Sequence, residues 1–127
     1  MNQVKKIQPT ESELEILQIL WEKGSATVRE VYEVMEQVRD IGYTTTLKTM
    51  QIMTEKGLLE RDTSSRTHIY SPLVSREKTQ KQFLNKMIDG LFNGSASRMV
   101  MGALDQEKLS QDDLQEIREY LKQFEKE

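Results

Sequence analysis

The chain has 127 residues, no cysteine, a net charge of -3 and a pI near 5.3, which suits one compact domain or a smaller domain with a helical appendage. Without cysteine there can be no disulfide and no thiolate metal site. No apolar run reaches the roughly 20 residues of a membrane span, and MNQVKKIQPT holds no apolar signal core, so a soluble cytoplasmic protein is expected.

In chain order, Thr10-Glu-Ser-Glu13 is a capping box, and Leu14, Leu17, Leu20 and Trp21 follow at helical spacing until Lys23-Gly24 closes a first helix. Thr27-Val-Arg-Glu30 repeats the box, and Val31, Tyr32, Met35 and Val38 predict a second helix up to the break at Arg39-Asp40-Ile41-Gly42. Leu47, Met50 and Met53 mark the buried side of a third helix ending at Lys56-Gly57, which leaves Thr44, Thr45, Lys48 and Gln51 on another face. Leu58 to Asp62 and His68 to Pro72 read as two strands joined by the polar connector Thr63 to Thr67. Three helices and a hairpin in this order predict a winged helix-turn-helix over residues 1–73.

From Ser75 onward the pattern is helical. Phe83, Leu84, Met87, Ile88, Leu91 and Phe92 recur as adjacent pairs four apart, and Asn93-Gly94-Ser95 ends that helix. A short piece carrying Met99, Val100, Met101 and Leu104 follows. Ser110-Gln-Asp-Asp113 then opens a last helix with Leu114, Ile117, Leu121 and Phe124 at three-four spacing. These helices carry more apolar face than one thin appendage can hide, so residues 74–127 are expected to be a helical dimerisation domain. Its contacts would be Leu84, Met87, Ile88, Leu91, Leu114, Ile117 and Leu121.

The segment Tyr43 to Pro72 carries most of the functional signal. A helix headed by small hydroxyl side chains can bring its N-terminal N–H groups close to phosphate while its next turn probes base edges. Thr44, Thr45, Lys48 and Gln51 are therefore candidate DNA contacts, Gln51 by bidentate pairing with adenine, and Arg66 at the hairpin tip is a candidate for phosphate or minor groove. The plain alternative for the threonines is helix capping. Arg61 is as well suited to an ion pair with Glu60 or Asp62. The acidic balance runs against nucleic-acid binding, but residues 1–42 carry 5 basic against 8 acidic side chains while 43–72 carry 4 against 3. A winged-helix module binding a protein partner is the rival reading. An enzyme has little support: His68 is the only histidine, there is no glycine-rich phosphate loop, and Glu11 and Glu15 read as a solvated helix face. No cofactor or metal is expected. The methionines at helical spacing read as core filler and not as a ligand pocket.

Laid out in this way, the whole chain resembles the penicillinase and methicillin-resistance repressor family (BlaI/MecI/CopY). The resemblance rests on Glu13-Leu-Glu-Ile-Leu17 with Leu20-Trp21, Tyr43-Thr44-Thr45 with Glu55-Lys-Gly-Leu58, the Arg66 to Tyr70 return strand, and Leu109-Ser-Gln-Asp-Asp113. It implies a homodimeric winged-helix repressor seated on a palindromic operator, with Thr44 to Ile52 as the DNA-contacting helix. Thr44, Thr45 and Lys48 carry over, with Arg66 for the wing. Leu47 stands where relatives often have Arg or Gln, and Ile52 where they often have Arg. The resemblance also implies a membrane sensor protease as partner, but the Asn-Phe bond cut in antibiotic-responsive members is replaced here by Gly102-Ala103. The Cys-x-Cys tail of copper-responsive members is absent, which excludes thiolate release.

Overall fold

The computed structural model describes residues 8–125, so most of the segment read for an export signal lies outside the described residues. Its elements are α1 (Glu11–Lys23), α2 (Val28–Met35), α3 (Tyr43–Glu55), β1 (Leu59–Asp62), β2 (Ile69–Pro72), α4 (Arg76–Leu91), α5 (Ala96–Leu104) and α6 (Gln111–Leu121), with a 3-10 turn at Lys122–Phe124. This is the mostly helical chain with one small hairpin that the sequence predicts. Two compact units divide between Phe83 and Leu84, ten residues beyond the boundary at 73/74 suggested by the change in sequence pattern.

Both predicted capping boxes close. The Thr10 hydroxyl accepts from the Glu13 N–H at 3.2 Å while Glu13 Oε1 accepts from the Thr10 N–H at 2.9 Å, and Thr27 and Glu30 repeat the exchange at 3.1 and 2.8 Å. Each box satisfies two N–H groups that the helix cannot reach itself. At its other end α1 stops because Gly24 takes φ 88°, a left-handed conformation open to glycine, and donates its N–H to Leu20 O at 2.7 Å.

The first unit packs Ile16, Leu17 and Leu20 of α1, Val28, Val31 and Met35 of α2 and Met50 and Met53 of α3 around Ala26, Leu58, Leu59 and Tyr70. The strands pair antiparallel with Arg61 opposite Tyr70 and Asp62 opposite Ile69. Ala26 adds an isolated bridge to Tyr70, its N–H and C=O both bonded at 3.0 and 2.8 Å, so the segment between α1 and α2 serves as a third edge of the sheet.

The fold corrects one expectation and sets aside one rival reading. The stripe of α2 does not run to Val38: the helix ends at Met35, and tight turns in which both Val38 and Arg39 donate to Met35 O leave Val38 77% exposed. Nor do the threonines cap α3. Gly42 is the N-cap, without a side-chain bond, and Thr46 lies fully buried with its hydroxyl donating to Gly42 O at 3.1 Å. Leu47 is half-buried against the core.

One polar contact crosses this core's edge. Glu13 is 4% exposed, and Lys56, the residue that ends α3, places Nζ 2.8 and 3.0 Å from its two carboxylate oxygens. The start of α1 is thereby bonded to the end of α3. The start of α4 belongs to the same unit: Trp21 Nε1 donates to Val74 O at 2.9 Å, Arg76 lies over the Trp21 ring and 3.5 Å from Glu22, and Thr79 is buried.

The second unit is built differently. Asn93 and Gly94 take φ 53° and 83°, and the Gly94 N–H returns to Ile88 O at 2.8 Å, which stops α4 where the Asn-Gly-Ser signal predicts. Ser95 caps α5, and a third capping box, Ser110 with Asp113, starts α6. No described residue from Leu84 onward is buried.

Lys56→Met leaves the Glu13 carboxylate buried without its cation, and should lower stability by about 1–3 kcal/mol. Urea unfolding should show this as a lower midpoint at unchanged slope.

Candidate nucleic-acid interface

Burying Thr46, Met50 and Met53 fixes the rotation of α3 about its axis, because residues three and four apart share a side. The opposite side then carries Thr44, Thr45, Lys48, Gln51, Ile52 and Glu55, all exposed. The four sequence candidates on this helix therefore share one solvent-facing stripe. Along it Thr45 O accepts from the Thr49 hydroxyl at 2.8 Å.

Arg66 sits in the hairpin tip, where every residue from Glu60 to Ile69 is exposed. The tip is a built turn: Asp62 Oδ1 accepts from the Ser64 N–H at 2.9 Å and the Ser65 hydroxyl donates to Thr67 O at 2.9 Å. The Ser64 backbone N–H holds the Asp62 carboxyl below the ordinary aspartate value of 3.8, and the nearby His68 adds to the effect. Arg61 makes no ion pair with Glu60 or Asp62 within 4.0 Å; its partner across the hairpin is Tyr70.

Two residues missed in the sequence join this site. Arg29, on the first turn of α2, places its guanidinium 4.9 Å from the centre of the Tyr43 ring, and Tyr43, first residue of α3, meets Tyr32 edge-to-face at 5.7 Å. Arg29, Tyr43, Arg66 and His68 line one crevice of about 270 Å³ with Thr27 and Tyr70, and no carboxylate lines it. Exposed carboxylates without an ion-pair partner among the described residues stand elsewhere on α1, α2, α3 and the wing, at Glu11, Glu30, Glu55, Glu60 and Asp62. Glu13, Glu15 and Glu22 of α1 are each paired with a cation, whereas Arg29, Lys48, Arg61 and Arg66 have no carboxylate partner among the described residues. Such an arrangement can offer unneutralised cations and a polar helix face to a polyanion.

The seven residues read as dimer contacts all fall in the second unit. Leu84, Met87, Leu91 and Leu121 are 43%, 42%, 74% and 52% exposed, and Ile88, Leu114 and Ile117 are half-buried. Gly102 and Ala103 lie inside α5. Among the described residues no three His, Cys, Asp or Glu side chains gather as a metal site, and no helix is long and apolar enough to cross a membrane.

Lowering the pH should weaken the wing turn only once Asp62 protonates, since a depressed pKa keeps the carboxylate charged until the solution is more acidic than its ordinary value. The Ser64 amide resonance should titrate with a midpoint below 3.8. Asp62→Asn should abolish that titration.

Comparison with known proteins accounts for this layout. The family described as Penicillinase repressor matches residues 9–123. The methicillin resistance regulatory protein MecI of Mammaliicoccus sciuri is 29% identical over 121 residues, covering 92% of this chain and 95% of that one. The penicillinase repressor of Bacillus licheniformis is 25% identical over 127 residues, covering 94% of each. Among solved structures, the solution structure of the DNA binding domain of the repressor BlaI matches with a TM-score of 0.51 at 24% identity, over 57% of this chain and 90% of that one, a likeness of fold that identifies the winged helix. The chain belongs to the penicillinase repressor family, whose members are DNA-binding transcriptional repressors and not enzymes.

Proposed function

We propose that this protein is a cytoplasmic, homodimeric transcriptional repressor that seats two copies of α3 in successive major grooves of a palindromic operator, roughly 34 to 36 Å apart. The observation that carries the reading is the exposed polar stripe of α3 together with Arg29, Lys48, Arg61 and Arg66, which have no ion-pair partner among the described residues. Thr44, Thr45, Lys48 and Gln51 face the base edges, while Arg66 from the wing and Arg29, steadied by Tyr43, hold phosphates and set the register. With only 4 basic against 3 acidic side chains in residues 43–72, non-specific affinity is modest and the second half-site matters correspondingly more.

The absence of any buried residue among the described part of the second unit supports self-association through it. Isolated helices of 9 to 16 residues are marginal in water without packing, and α4, α5, α6 and the 3-10 turn after it leave Leu84, Met87, Leu91, Val100, Met101, Leu121 and Phe124 exposed. A second copy of the chain offers the same apolar faces in return, so a two-fold contact buries both at once. A membrane sensor protease is not part of the proposal, because Gly102-Ala103 is helical and supplies no Asn-Phe bond.

Fluorescence anisotropy with DNA from upstream of the protein's own gene, across a salt series, tests the reading. Tight, salt-dependent binding with clear preference over scrambled duplex is expected. Arg66→Ala and Arg29→Ala should each weaken binding to both duplexes alike and reduce the logarithmic salt slope by about 1. Lys48→Ala should narrow the preference itself. Equal affinity for scrambled DNA discards the repressor reading and leaves the protein-binding module. Sedimentation should give a dimer at micromolar concentration, and Leu91→Glu, which places charge in the proposed interface, should give a monomer of reduced operator affinity.

A further inference from the structure

Beyond the four positions already assigned, the exposed stripe of α3 carries an apolar side chain with no place in the core. Ile52 is 39% exposed and is not among the half-buried residues packed against the buried cluster. It stands seven positions after Thr45, so at 100° per residue the two side chains lie about 20° apart around the helix, on one edge of the stripe. Lys48 lies between them in sequence and about 40° to 60° around from each. The Thr45 hydroxyl makes no hydrogen bond among the described residues, and Thr45 and Ile52 are both exposed on the same edge.

The major groove offers one kind of apolar group to such an edge. Thymine presents a C5-methyl there, whereas guanine presents two acceptors, adenine an acceptor and a donor, and cytosine a donor. An isoleucine tip cannot bond to any of the polar edges, and covering them leaves them desolvated and unpaired. It can only gain by burying a methyl.

We propose, resting on the repressor reading above, that Thr45 and Ile52 determine specificity by packing against the 5-methyl groups of two thymines in each half-site. Seven residues of helix rise about 10.5 Å, so the two thymines stand on the order of three base pairs apart. Each methyl contact contributes a factor of about four in affinity. This edge needs no charge, which fits a recognition stripe whose only cation is Lys48.

The experiment uses the full chain and in two steps separates this proposal from the reading beneath it. Selection from random duplexes first yields a preferred site. Each thymine in its half-sites is then replaced singly by deoxyuridine, which removes the methyl and changes no hydrogen bond, and affinities are measured by anisotropy. Two positions about three base pairs apart should each lose about four-fold. The loss at one should vanish in Ile52→Ala and at the other in Thr45→Ser, which deletes the threonine methyl but keeps its hydroxyl. Circular dichroism should show both variants folded, since neither side chain is buried. A uridine series with no loss, or losses that persist in both variants, overturns the methyl contacts while leaving DNA binding intact. Selection that enriches no sequence overturns the repressor reading, and the methyl contacts with it.

Discussion

The bond between Glu13 and Lys56 governs how the first unit presents its third helix. Glu13 serves twice, once by closing the cap on α1 and once by holding the lysine that ends α3. A carboxylate this deeply buried is tolerable because each oxygen has a donor: Oε1 receives the Thr10 N–H and the ammonium, and Oε2 the ammonium alone. The core residues Met50 and Met53 decide which side of α3 turns inward, but methionine is adaptable and packs well in more than one setting. A directional ion pair at the helix end restrains what soft packing does not. The exposed stripe from Thr44 to Glu55 inherits its orientation from both.

The same pairing explains how an acidic chain can belong to a family that binds a polyanion. Net charge describes the whole molecule, whereas binding responds to the field over one face. Three carboxylates of α1 are tied up by Lys56, Arg39 and Arg76, each brought from a different part of the sequence. Among the cations left unpaired, Arg29 lies against Tyr43 at the start of α3, Lys48 is on the exposed side of α3, and Arg61 and Arg66 are on the wing. Glu55 at the far end of the exposed stripe and Glu60 and Asp62 on the first strand of the wing are exposed acids without an ion-pair partner among the described residues.

Local signals were legible in the sequence where the chemistry is itself local. The two predicted capping boxes, the helix start at Ser110, the glycine after α1 and the Asn-Gly break after α4 each fix a boundary through residues no more than six apart, and each is found in the fold. Expectations failed where a distant partner decides. The alternative reading of the threonines as caps also yields, since Gly42 takes that position and Thr46 is drawn into the core. Val38 continues the spacing of α2, but tight turns end the helix first. The bridge from Ala26 to Tyr70 and the stacking of Arg29 on Tyr43 join residues 44 and 14 positions apart, and no periodicity announces either. The candidate residues on α3 were legible for a simple reason: once the buried side of a helix is known, the other side follows.

The chain's single tryptophan occupies an instructive place. Trp21 belongs to α1, but its indole hydrogen bond reaches Val74 and its ring lies under Arg76, so one fluorophore sits against the seam where the hairpin hands over to α4. Nothing on the wing or the exposed stripe of α3 is bonded to it. Because Trp21 also packs against the core of the first unit, the colour and intensity of its emission report loosening of that core and of the hand-over, and distinguish both from events at the tip of the hairpin.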